Sequence, residues 1–210
     1  MPPFILLASA SPRRHEILDQ LAIPHGILRV PAPDGEDEPR LPGEPAADYV
    51  RRTARDKAER AVAWLASGGR PDPLPEAWPA GWRDAPILGA DTTVILDGEV
   101  LGKPRDAADA AGMLRRLSDR EHAVHTAVVL ADGGRFHEAV SISTVRFQPL
   151  TDADIAAYVA SGEPFGKAGG YAIQGRAAAF VAHLSGSHSG VMGLPAHETA
   201  RLLARRRHTG

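Results

Sequence analysis

The 210-residue chain has no cysteine, only three lysines, and aromatic residues at just 5% of its positions. Without cysteine, disulfide scaffolds, thiolate nucleophiles, iron–sulfur clusters and cysteine-ligated zinc are all excluded, an absence that suits a reducing cytosol. No apolar run approaches the roughly 20 residues a membrane span requires. The opening Met1-Pro2-Pro3-Phe4-Ile5-Leu6-Leu7 lacks the basic and long apolar regions of a signal peptide. A cytoplasmic protein with no membrane partner is therefore expected. A large charge excess is missing too: 24 basic residues face 26 acidic ones, for a net charge of −2. No global cationic field exists to hold a nucleic-acid polymer, so none is expected as a partner.

What the chain does have is a 43% hydrophobic fraction, enough to bury the core of one domain spanning 1–210. Lysine is scarce beside 21 arginines. A surface lysine is evidently replaceable here, which marks Lys57, Lys103 and Lys167 as candidate positions for a compact point charge instead of a planar fork.

Hydrophobic patterning organises the chain. Phe4–Ala8 reads as a strand buried on both faces. Ser11 reads as an N-cap and Pro12 as the first residue of a helix running to about Leu21. A second strand is expected at Gly26–Val30, a proline- and acid-rich loop at Pro31–Pro45, and a long helix at Ala46–Ala66 with Tyr49, Val50, Ala54, Ala58, Ala61 and Leu65 near one face. Gly68–Pro86, with five prolines, three glycines and two of the three tryptophans, is expected to be a surface insertion with apolar anchors. Further on, the pattern predicts a strand Ile87–Leu96 with an Asp97-Gly98 turn, a helix Ala107–Leu117, and strands Ala123–Leu130 and Arg135–Phe147 around Asp132-Gly133-Gly134. Thr151 and Asp154 suggest a capping box opening a helix to Ser161. Short strands at Tyr171–Ile173 and Phe180–Leu184 and a helix Pro195–Arg207 complete an α/β or α+β arrangement without repeats.

Four segments carry candidate chemistry. Ser9-Ala10-Ser11-Pro12-Arg13-Arg14 places two hydroxyls, two guanidiniums and free helix amides between a strand and a helix start, an anion site most naturally suited to phosphate. Arginines there oppose the helix dipole, so stability alone gives no reason for them; an ordinary cap with solvated arginines is the competing reading. In Gly89-Ala90-Asp91-Thr92-Thr93 an apolar run meets a carboxylate. Read as ending a strand, Asp91 is placed to hold Mg²⁺ or orient a water, or else it caps neighbouring amides. Asp37 and Glu38 offer further carboxylates from the first long loop. Lys103, between Gly102 and Pro104, sits on a stiff turn. Gly162–Tyr171 fails as a Walker A loop, because its spacing is short and Ala168 replaces the Mg²⁺-binding hydroxyl. Just beyond it, Gln174 offers one donor and one acceptor, the complement of a uracil or thymine edge. His122 and His125 face opposite ways on a strand, and no HExxH pattern exists, so a zinc hydrolase is not expected.

Together these segments resemble the Maf family of nucleotide pyrophosphatases. The resemblance runs from Ile5 to about Leu203 and includes Ala8–Arg14, Ala90-Asp91-Thr92, Leu101-Gly102-Lys103-Pro104, Lys167-Ala168-Gly169, Ile173-Gln174-Gly175 and Gly193-Leu194-Pro195. It implies a two-lobed α/β fold of the Maf and inosine triphosphate pyrophosphatase type, with a mixed, twisted sheet, flanking helices and an active-site cleft between the lobes. It also implies hydrolysis of a nucleoside triphosphate to monophosphate and pyrophosphate with a divalent cation, Mg²⁺ or Mn²⁺, as house-cleaning of the nucleotide pool. Arg13, Thr92 and Gln174 are similar to the residues that mark the subgroup acting on dTTP and UTP. On this reading Ser9, Ser11, Arg13 and Arg14 bind phosphate, and Lys57 and Lys103 neutralise charge around the scissile bond. Asp91 activates water or holds the metal with Glu38, and Gln174 reads the base with Lys167 near it or near the phosphates. A homodimer is expected at family level only.

The chain departs from the family pattern in its long 68–86 segment, in Gly170 of Ala168-Gly169-Gly170-Tyr171, in His188 and in Ala196-His197. These touch fine substrate preference, not reaction class. A rival expectation comes from a family link to septum formation: a regulator that binds nucleotide with little turnover. A water-activating carboxylate has no evident use in such a protein.

Overall fold

The computed structural model describes residues 3–32, 38–71, 75 and 78–206. Its centre is a seven-stranded mixed sheet in the order β2(His25–Ile27)–β1(Ile5–Leu7)–β3(Ile87–Leu96)–β5(Glu121–Asp132)–β6(Arg135–Phe147)–β7(Val181–Ser185), with β4(Glu99–Leu101) paired to β3 off this path. β1 runs parallel to both neighbours, and all other pairings are antiparallel. The helices are α1(Pro12–Gln20), α2(Ala46–Ala66), α3(Ala107–Leu117), α4(Asp152–Ala160), α5(His188–Met192) and α6(Ala196–Arg206), joined by three short 3₁₀ turns. None of the described helices is long and apolar enough to cross a membrane.

One detail of the register creates the site. β1 pairs with the start of β3 at Ile87 and Leu88, whereas β4 pairs on the same side with its end, Val94 to Leu96. Between them, Gly89–Thr93 has a strand only on its other side, where β5 pairs continuously from Ile87 to Ile95. The sheet therefore forks around the middle of β3, and the two branches are the two expected lobes. One lobe is packed by Leu114, Leu117, Phe147, Ile155 and Tyr171 beneath α3 and α4. The other is packed by Ile5, Leu7, Ile17, Leu18, Leu202 and Leu203 beneath α1 and α6. On the opposite face of the sheet, Val50, Ala54 and Ala58 of α2 cover Ala127 and Val129.

The small residues of α2 are there for close approach. A Cβ at Gly89 would lie 3.0 Å from the Ala54 carbonyl oxygen and 3.0 Å from both the nitrogen and Cβ of Ala58. Helix and strand are thus near contact, and only glycine on one side and alanine on the other allow it. Phe4 and the two tryptophans of the 68–86 segment, Trp78 and Trp82, pack edge-to-face with ring centroids 5.8 and 5.1 Å apart. Trp78 lies over Gly26, where a Cβ would be 2.2 Å from its ring.

Three local expectations are corrected. Tyr171–Ile173 is not a strand, because Gly169 and Gly170 at positive φ precede it and a turn closed by Gly175 N–H to the Ala172 carbonyl follows, so no straight pairing segment remains. β2 ends at Ile27 instead of Val30. Asp91 does not end a strand but sits in the middle of the ten-residue β3, and it lines the cleft where the neighbouring edge is empty. The capping box at Thr151 and Asp154 forms as predicted. His122 is buried beside Tyr171 and Phe147, with its pKa pulled down to about 4 by burial, which makes it a neutral core histidine.

Candidate active site

A cleft of about 890 Å³ opens at the fork of the sheet, and every candidate site residue lines it: Ser9, Ser11, Arg13, Arg14, Glu38, Lys57, Asp91, Thr92, Lys103, Lys167 and Gln174. Asp37 lies outside the described residues. Among the described residues, eight cationic side chains line the cleft (Arg13, Arg14, Arg29, Lys57, Arg60, Lys103, Arg105 and Lys167) against two acidic ones. A chain of net charge −2 has thus gathered a strong local positive excess, the field that a polyphosphate needs.

Asp91 and Thr92 are chain neighbours and so point to opposite faces of β3. Asp91 points to α2. There Thr53 Oγ1 donates to its Oδ2 at 2.7 Å, and Lys57 Nζ donates to its Oδ1 at 2.7 Å. Thr53 and Lys57 are four residues apart, one helical turn, so both face the strand. The ammonium of Lys57 also contacts Glu38 Oε1, and Lys103 Nζ lies 3.9 Å from the same oxygen. Tyr49 donates its hydroxyl to the Glu38 carbonyl at 3.1 Å, which ties the long loop to α2. The result is a chain of alternating charge, Asp91–Lys57–Glu38–Lys103, with Asp91 only 4% exposed and Lys103 largely in solvent. Three of its members come from helix, strand and the loop between β1's lobe and α2; Lys103 comes from the far branch of the fork.

Thr92 points to the other face. Its Oγ1 lies 2.9 Å from Thr126 Oγ1, and Thr126 donates to the Gly190 carbonyl at 2.7 Å. Since the single proton of Thr126 goes to that carbonyl, the assignment that satisfies both contacts has Thr92 donating to Thr126. Thr92 then presents only lone pairs to the cleft.

The arginines that seemed to oppose the α1 dipole have a structural partner. Arg13 Nε donates to the Met192 carbonyl at 3.2 Å, and Arg14 Nε to the Gly193 carbonyl at 2.8 Å. These are the unsatisfied carbonyls at the end of α5, the negative end of a helix, and the guanidiniums dock there. Among the described residues, both Nη groups of Arg13 and Nη2 of Arg14 have no protein acceptor and remain for a ligand. Ser9 Oγ accepts from Arg14 Nη1 at 3.1 Å and from the Ser11 amide at 3.2 Å, which leaves its proton free to donate. Ser11 is the N-cap of α1 as expected, but its side chain makes no capping bond, and its hydroxyl has no partner among the described residues. Burial in this wall lowers the pKa of Arg14, with Asp91 opposing and Arg13 reinforcing the shift.

Lys167 belongs to the same wall. Its Nζ donates to the Glu163 carbonyl at 2.6 Å, and its pKa is lowered first by burial and then by the charge of Arg13. Gln174 is exposed in the cleft lining and makes no hydrogen bond among the described residues.

Sequence reasoning missed Thr53, Thr126 and the α5 carbonyls. A threonine inside a helix or an apolar strand carries no distinguishing signal. The α5 helix is five residues long with a glycine in it, too short for periodicity to register.

Comparison with known proteins agrees with this geometry. The chain matches the family model described as "Maf-like protein" over residues 4–206. It is 60% identical over 202 residues to a protein of Bordetella pertussis named "dTTP/UTP pyrophosphatase", covering 96% of this chain and 92% of that one. Proteins of the same name from Bordetella avium (56% over 203 residues, covering 97% of this chain and 95% of that one) and Ralstonia nicotianae (54% over 209 residues, covering 96% and 93%) are similar too.

Proposed function

This chain belongs to the Maf family, and from that premise we propose that it hydrolyses dTTP and UTP to the monophosphate and pyrophosphate. The observation that carries this reading is the buried Thr53–Asp91–Lys57–Glu38 cluster at the open edge of β3, facing a cationic wall. A protein that merely held a nucleotide would use the wall and have no need of the cluster, which weighs against the regulatory alternative.

The triphosphate lies along the wall, with Ser9, Ser11, Arg13, Arg14 and Lys167 receiving its oxygens as charge-assisted hydrogen bonds. Lys57 and Lys103 neutralise charge that develops on the leaving pyrophosphate or the attacked phosphorus. Asp91 orients the attacking water and takes its proton, and Thr53 and Lys57 hold its carboxylate in place before substrate arrives. No covalent intermediate on the protein is required. The carboxylates also fit a divalent cation: the donors are all oxygen, the two groups share one ammonium, and each Asp91 oxygen keeps a second lone pair beyond its present bond. Asp91 and Glu38 would hold Mg²⁺ or Mn²⁺, which when bound supplies charge neutralisation on the phosphates. Gln174, with a free donor and acceptor, reads the O4 and N3–H edge of the pyrimidine, and Thr92 accepts from the substrate.

The test is to incubate the purified protein with each common nucleoside triphosphate and Mg²⁺ or Mn²⁺, measuring monophosphate and pyrophosphate. Release from dTTP and UTP with little from purine nucleotides is the expected result. Release of orthophosphate instead of pyrophosphate would overturn the bond assignment, and binding without turnover would restore the regulatory reading.

A further inference from the structure

Outside the cleft, one cluster of side chains has the chemistry of a second site. His15 and Asp19 lie one turn apart on α1, and His25 opens the edge strand β2 beside them. One donor atom from each of the three lies within 4.8 Å of the others. His15 Nδ1 and His25 Nε2 face each other at 2.5 Å, and Asp19 Oδ2 is 3.4 Å from His15 Nε2. Two imidazole lone pairs cannot approach so closely with nothing positive between them, so the gap holds a proton or is the seat of a cation.

The orientation of His25 favours a seat. Its Nδ1 donates to the Ile23 carbonyl at 2.8 Å, which fixes the tautomer and turns the Nε2 lone pair outward. Metal-binding histidines are oriented in this way, by a carbonyl or carboxylate on the other ring nitrogen. We propose that His15 Nδ1 and His25 Nε2 form a site for a borderline-soft divalent transition ion such as Zn²⁺, Co²⁺, Ni²⁺ or Cu²⁺, distinct from the nucleotide cleft, with Asp19 on the far nitrogen of His15 orienting that ring as the Ile23 carbonyl orients His25. Tetrahedral ligands about 2.0 Å from zinc lie roughly 3.3 Å apart. The rings therefore separate slightly as the ion replaces the shared proton, which half-exposed side chains on a helix and an edge strand can do. Water completes the coordination.

Donor type separates this site from the cleft. Among the described residues the cleft lining contains no histidine and offers carboxylate oxygens, which suit Mg²⁺ and Mn²⁺. Two imidazoles select later first-row ions, with Cu²⁺ strongest. An ion held here ties the edge strand to the helix that carries Arg13 and Arg14, so binding is expected to raise the thermal midpoint. The inference is independent of which nucleotide the protein hydrolyses.

The experiment uses the full chain without a polyhistidine tag, in millimolar Mg²⁺ so that oxygen sites are filled. Zn²⁺ is titrated calorimetrically, and Cu²⁺ is added at one equivalent for electron paramagnetic resonance. One Zn²⁺ per chain and nitrogen hyperfine splitting from two imidazoles are expected. His15→Ala and His25→Asn should each weaken Zn²⁺ binding at least about tenfold, Asp19→Asn less, and His183→Ala, on exposed β7, not at all. Because His25→Asn alters the edge strand, His15→Ala, on the helix surface, decides the matter if the former does not fold. Zn²⁺ binding unchanged in His15→Ala, no Zn²⁺ uptake by the unaltered protein, or a Cu²⁺ spectrum without nitrogen splitting would each overturn the proposal.

Discussion

Two parts of the cleft are built differently. Where α2 meets β3, Asp91 is 4% exposed, and both its oxygens are already engaged by residues of a 21-residue helix. Elsewhere in the lining, Gln174 sits exposed on a turn with no hydrogen bond among the described residues. On the proposed function, the difference separates two tasks. Groups that act on the reacting bond gain from being held before substrate arrives, because their positioning then costs nothing at the moment of reaction. Groups that meet the base gain from free hydrogen-bonding capacity, which the correct substrate satisfies and a wrong one does not.

The hardest way to break that contrast is at Asp91. Asp91→Asn keeps shape and the Thr53 contact but removes the anion and the proton acceptor. Turnover should fall by about three orders of magnitude or more, while nucleotide affinity stays within a few-fold. Single-turnover kinetics alongside equilibrium binding would check this, and undiminished turnover would remove Asp91 from the chemistry.

Next in size is the packing that positions the cluster. A methyl at Gly89 would press on Ala54 and Ala58, which are backbone-anchored and cannot yield without moving α2. Gly89→Ala should lower stability by about 1–3 kcal/mol and kcat by roughly 10–100-fold, with a much smaller change in KM. Thermal unfolding and steady-state kinetics measure both. If stability drops and kcat does not, the cluster tolerates displacement and the idea of a pre-set cluster is wrong.

These effects concern the part of the molecule that was hardest to read in advance. The strands around β3, the whole of α2 and the α4 cap were legible, because periods of 2 and 3.6 and a capping box are local signals. The candidate residues were legible as types: a carboxylate in an apolar run, arginines at a helix start, lysines in an arginine-rich chain. Their partners were not. Arg13 and Arg14 dock on carbonyls 179 residues away in sequence, and Thr53 becomes part of the site only because Gly89 lets α2 approach. The forked edge that brings mid-strand Asp91 to the cleft depends on where β1 and β4 stop pairing, a matter of register that patterning does not encode. Tyr171–Ile173 was misread because its apolar content reflects packing beneath the cleft, not a strand.

At Gln174 the expected effect is smaller and falls on selectivity. Gln174→Glu replaces the amide donor with a second acceptor, which faces the O4 acceptor of thymine or uracil. The loss in kcat/KM for dTTP and UTP should be about tenfold, with kcat at saturation nearly kept. Equal kcat/KM in the variant and the unaltered protein would exclude Gln174 from base recognition.

The smallest predicted effect sharpens the comparison, because it concerns a residue that touches no substrate. Thr126 is fully buried, sits opposite Thr92 in the β3–β5 register, and spends its proton on the Gly190 carbonyl. It thereby obliges Thr92 to donate inward and to show the cleft only lone pairs. Thr126→Val removes the acceptor and lets the Thr92 hydroxyl turn, so the cleft gains a rotating donor where it had a fixed acceptor. One neutral hydrogen bond is worth about 1 kcal/mol, or roughly a fivefold rise in KM for dTTP and UTP, with kcat little changed. Thr126→Ser restores the hydroxyl without the methyl and should return KM toward its original value. A purely structural role would instead lower stability in both variants and leave the ratio of kcat/KM between pyrimidine and purine nucleotides untouched.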